Sequence, residues 1–81
     1  MPRFFFHLTD GVTVCDEQGL VFDSIEDARV EAIRTAREIM SHEVREGALP
    51  ITDRIIIADE QGNSVMAIPF SQAVKVVESE E

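Results

Sequence analysis

The chain has 81 residues, 44% of them apolar, with sixteen acids against seven bases and a formal charge of −9. That length allows one domain spanning residues 1–81, whose core is small because so short a chain buries only about 60–65% of its unfolded surface. The charge disfavours a nucleic-acid partner and an anionic membrane surface, and the single cysteine, Cys15, excludes an internal disulfide.

The chain opens on Arg3-Phe4-Phe5-Phe6-His7-Leu8-Thr9, an aromatic strand running into Asp10-Gly11, a dipeptide suited to a tight hairpin turn. A two-residue turn pairs Thr9 with Val12 and Phe6 with Cys15. Alternatively residues 10–19 form one long loop and Leu20–Phe22 is the partner strand; a three-strand meander satisfies both. Asp16-Glu17-Gln18-Gly19 reads as a polar turn, and the same four residues recur at Asp59–Gly62.

The central element is a helix. Ser24 is a good N-cap with Asp27 three residues on, His42 and Arg45 suit the negative end of the helix dipole, Gly47 suits the stop and Pro50 forbids continuation. Ile25, Ala28, Ala32, Ile33, Ala36, Ile39, Met40 and Val44 recur at helical spacing and define one apolar face. A helix over Ile25–Glu46 is about 33 Å long at 1.5 Å per residue. Arg54–Ala58 and Ser64–Pro69 read as a second hairpin closed by Asp59–Asn63. Ser71–Val77 reads equally as a short helix or as strand, and residues 78–81 read as a frayed acidic tail.

The predicted fold is therefore α+β, of ββαββ order: a small antiparallel sheet with one long amphipathic helix on one face. Phe4, Phe6, Leu8, Ile55 and Ile57 are the expected core partners of the helix. The main strands are apolar on both sides, whereas one helix covers one face. An uncovered patch of about 400 Å² bearing Phe5, Ile56, Met66 and Ile68 is the expected interface.

Nothing in the pattern demands catalysis. His7 lies within an aromatic strand and reads as a half-buried histidine bonded to backbone, His42 as a surface residue and Cys15 as a small buried thiol. Under the two-residue turn, His7 and Cys15 point to opposite faces, which disfavours a nucleophile–base pair. The acidic turns lack the ligand spacing of a calcium loop, and the chain has no phosphate-binding glycine loop or nucleophile elbow. No catalytic residue, cofactor or metal is assigned.

The opening Met1–Leu8, the Asp10-Gly11 pair, the Asp16–Gly19 turn, the alanine-rich helix beginning near Ala28, and Asp59–Gly62 followed by Ile68-Pro69-Phe70 together resemble a family of short bacterial proteins common in soil and root-associated species. The family is classed as a domain of unknown function. The resemblance implies this fold and a bacterial, cytoplasmic setting, and carries over no site. The expected function is a non-enzymatic module that self-associates or binds a protein partner. The rivals are a small antitoxin-like regulator and a protein that binds a small molecule or metal between sheet and helix.

Overall fold

The computed structural model describes residues 2–75 and residue 77. The tail expected at 78–81 lies outside them. Strands β1 (Arg3–Thr9), β2 (Thr13–Val14) and β3 (Leu20–Val21) precede the helix α1 (Ile25–Arg45). Strands β4 (Arg54–Ala58) and β5 (Ser64–Pro69) follow, and then a 3₁₀ turn over Phe70–Gln72. All pairings are antiparallel in one five-stranded sheet, so the α+β architecture and the ββαββ order hold, with β3 as an added short strand.

The first hairpin departs from the expected register. Thr9 pairs with Thr13 and Leu8 with Val14, one residue further than a two-residue turn allows. Asp10-Gly11-Val12 form the connection, with the Asp10 amide donating to the Val12 carbonyl at 3.2 Å and Val12 N–H donating to the Asp10 carboxylate at 3.4 Å. Leu20–Val21 also pairs with β1, through Arg3↔Val21 and Phe4↔Leu20. The two short strands thus take opposite ends of the β1 edge that β4 leaves free, instead of forming a meander. Cys15, expected to be buried, is exposed, because the chain leaves the ladder directly after Val14.

The helix follows its end signals. The Ser24 hydroxyl accepts from the Asp27 amide at 3.2 Å. At the other end Gly47 N–H donates to Val44 O and Ala48 N–H to Glu43 O, the crossed pair that satisfies the last carbonyls. Ala28, Ala32, Ala36 and Met40 form the buried stripe, flanked by half-buried Ile25, Ile33 and Ile39. Twenty-one residues span about 31 Å, against about 24 Å for the seven-residue β1. The buried stripe ends at Met40, and Val44, one turn further on, is 54% exposed.

Of the expected core partners, Phe4, Ile55 and Ile57 are buried, while Phe6 and Leu8 are half-buried against the same cluster. Phe22 completes it by packing on Phe4 and Phe6, with ring centroids 6.2 and 5.8 Å away. The ambiguous segment after β5 turns toward the helix. Phe70 N–H donates to Asp53 O at 2.8 Å, Arg37 Nε donates to Ala73 O at 2.7 Å, and the Phe70 and Ala73 side chains are buried.

The expected interface set must be corrected on β5. Ile55 pairs with Ile68 and Ile57 with Met66. Directly opposed residues share a face, so Met66 and Ile68 look toward the helix, and Ile68 is only 3% exposed. The outward residues of β5 are Val65, Ala67 and Pro69, with Ala67 opposite Ile56. Among the described residues no helix is long and apolar enough to cross a membrane.

Candidate functional site: the open face of the sheet

The face turned away from the helix is built from alternate residues of three strands. β1 contributes Arg3, Phe5, His7 and Thr9, β4 contributes Arg54 and Ile56, and β5 contributes Val65, Ala67 and Pro69. The register aligns His7 with Ile56 and Ile56 with Ala67 in one row across the sheet, with Phe5 beside Ala58 in the next. Phe5, His7 and Ile56 are half-buried and Ala67 is exposed. Phe5 and Ile56 stand where expected; Met66 and Ile68 do not belong to this surface.

The charge pattern of the face is unlike that of the rest of the chain. The five strands contain no Asp or Glu, so among the described residues every acid lies in a loop or in the helix. The ionisable strand residues are Arg3, His7 and Arg54, and all three stand on the open side. An apolar, weakly basic surface is thus set on a strongly acidic protein.

One edge of the face is organised by Asp16. The loop from Cys15 to Gly19 bulges away from β1, which leaves the Phe6 amide without a backbone acceptor on that edge. Asp16 Oδ2 accepts from Phe6 N–H at 3.1 Å, while Oδ1 accepts from Gln18 N–H at 3.0 Å and Gly19 N–H at 3.1 Å. The Asp16 amide donates to His7 Nδ1 at 3.0 Å, and Arg3 clasps the loop by donating to Gln18 O at 2.9 Å. Burial pushes the Asp16 carboxyl up, but the donors from Gly19, Phe6 and Gln18 outweigh it and hold the group below its ordinary value; His7, when protonated, acts the same way. Since His7 Nδ1 accepts a bond, the ring proton of the neutral imidazole sits on Nε2. His7 is therefore the backbone-bonded, half-buried residue its position suggested.

Gly19 completes this edge. Its φ of 68° favours glycine, and a Cβ there would stand 2.8 Å from Phe4 O and 2.9 Å from the Phe5 ring. The loop thus lies tight against the residue that opens the apolar face. The second copy of the tetrapeptide forms the same kind of turn without the tertiary reach. Asp59 Oδ1 accepts from Gln61 N–H and Asn63 N–H, and Gly62 sits at φ 85° over open space. Among the described residues no three His, Cys, Asp or Glu side chains gather to hold a metal ion.

The model of a domain of unknown function, DUF6894, matches residues 3–71. The chain belongs to that family. The match runs from the first residue of β1 to the 3₁₀ turn, and so takes in the sheet, the helix and the Asp16 edge. No curated protein and no solved structure is detectably similar to the chain.

Proposed function

We propose that this DUF6894 domain is a non-enzymatic interaction module of the cytoplasm that self-associates through the open face of its sheet. The observation that carries this reading is the pairing of apolar residues with strands that contribute no carboxylate to that face: Phe5, Ile56 and Ala67 lie among Arg3, His7 and Arg54, and Asp16 stands only at its edge. Two copies of a −9 chain repel each other in most orientations. Approach is least opposed where the acids are missing, and there apolar burial rewards it. Sheets packed face to face sit about 10 Å apart with interdigitating side chains, an arrangement that short outward residues such as Ala67 permit.

Size-exclusion chromatography with light scattering tests this directly. At high micromolar concentration and moderate salt the mass should be twice 9.1 kDa. Ile56→Asp should return it to the monomer value while circular dichroism stays native, because Ile56 does not face the helix. A wild-type mass near 9.1 kDa under those conditions would refute self-association.

A further inference from the structure

The exposed last turn of α1 borders a second feature. Met40 and Val44 on the helix, Leu49 on the link that follows and Val74 beyond the 3₁₀ turn line an apolar groove of about 600 Å³, with Arg45 and Lys75 also on its wall. The groove is built by the fold. Arg37 holds the Ala73 carbonyl against the helix at 2.7 Å, and Ala73 and Phe70 are buried, which fixes where Val74 and Lys75 emerge. On the opposite wall, the Gly47 and Ala48 amides cap the last helical carbonyls and turn the chain so that Leu49 returns beside Val44.

The volume lies within the range of small-molecule sites, which is about 300–1,000 Å³. Among the described residues the lining contains Arg45 and Lys75 and no acid. Glu43, one residue from Val44, is instead close enough to Asp53 to act on its carboxyl. Val44 and Leu49 remain 54% and 55% exposed and Val77 78% exposed, so nothing described fills the space.

We infer that this groove binds a single-chain anionic amphiphile, with the alkyl chain on Met40, Val44, Leu49 and Val74 and the carboxylate between Arg45 and Lys75. Apolar lining supplies the binding free energy, and the two cations select the sign of the head group. A groove of about 600 Å³ has room for one medium alkyl chain but not for the two long chains of a membrane lipid, which favours a free medium-chain carboxylate.

Isothermal titration with decanoate below its micellar concentration provides the test, beside decyltrimethylammonium as the cation of equal chain length. Decanoate should bind saturably at one site per chain, and the cation at least tenfold more weakly. Val44→Asp should abolish decanoate binding, and Arg45→Glu with Lys75→Glu should weaken it at least tenfold. All three positions are exposed, so melting followed by circular dichroism should show the variants folded. Amide shifts confined to residues 40–49 and 73–75 would support the placement independently of affinity. Equal binding of the two amphiphiles, or decanoate binding unchanged in Val44→Asp, overturns the assignment. So does binding to phosphatidylglycerol vesicles without binding of decanoate, which would make the groove a membrane contact. Loss of a dimer in Val44→Asp would make it an interface between copies and overturn it likewise. Ile56→Asp should leave decanoate binding intact, so this inference and the sheet-face proposal fail separately.

Discussion

The two Asp-Glu-Gln-Gly turns predict different responses to the same chemical change. At position 16 both carboxylate oxygens are used: Oδ1 by Gln18 and Gly19, Oδ2 by Phe6 across the sheet edge. Asp16→Asn keeps the first pair but turns an amide N–H₂ toward the Phe6 N–H, donor against donor. One charge-assisted bond is lost and one half-buried amide is left unpaired, together about 1.5–3 kcal/mol. At position 59 a single oxygen accepts both Gln61 and Asn63, so Asp59→Asn preserves every bond and should cost less than about 0.5 kcal/mol. Urea denaturation followed by circular dichroism reads both, since the chain has no Trp or Tyr for fluorescence. The pH dependence adds a second signature. The Asp16 carboxyl is held below its unfolded value, so its contribution is present above about pH 3.9 and lost as pH falls through the folded value. The gap between wild type and Asp16→Asn should therefore close in acid. Equal losses for the two variants at neutral pH, or a gap that does not narrow in acid, would refute the assignment of Oδ2 to the sheet.

Gly19→Ala should destabilise by at least about 2 kcal/mol, since it adds contacts under 3 Å to a strained φ, while Gly62→Ala meets only the backbone strain of about 1 kcal/mol; thermal melts giving equal losses would contradict the close approach of the loop to Phe5. Phe70→Ala empties a fully buried site and should cost about 3–5 kcal/mol by urea titration; a loss under 1 kcal/mol would show that the 3₁₀ turn is not part of the core. The Asp53 carboxyl is pushed up by burial and then by the negative charges of Asp10 and Glu43, so its stabilising contribution exists below the unfolded value and is lost as pH rises through the folded one. Asp53→Asn should accordingly raise the melting temperature at pH 7 and have little effect near pH 3, and the reverse order would overturn this.

The helix was legible because its two ends carry residues whose capping roles are local: Ser24 and Gly47 act within one turn of themselves. Strand existence was legible for the same reason, from the runs Arg3–Thr9 and Arg54–Ala58. What escaped depended on register. Val65-Met66-Ala67-Ile68 is apolar at every position, so the alternation that tells one face from the other is missing, and only the pairing of Ile55 with Ile68 decides it. Phe70 escaped because its burial follows from a backbone bond to Asp53 O, which no side chain announces. The Asp16–Phe6 bond escaped because an identical tetrapeptide at Asp59 makes no such bond. Local sequence specifies the turn, whereas the neighbouring strand determines whether the second oxygen has a donor to meet.

The lack of acids on the strands has two physical explanations that act at different positions. Strand propensity disfavours Asp and Glu on either face, and on the helix side burial alone would exclude them. Neither cause accounts for what does occupy the open side. Ala67 is exposed and opposite Ile56, and burial excludes a polar residue there no more than at the exposed Ser64 at the start of the same strand. Arg3 and Arg54 show that full positive charge is compatible with these strands. A solvated sheet face normally alternates polar with apolar residues, yet β4 presents Ile56 outward between two inward isoleucines. Strands free of carboxylate and an outward isoleucine in the central strand are the two features that the proposed face-to-face association would use, since two −9 chains would then meet where their acids are fewest.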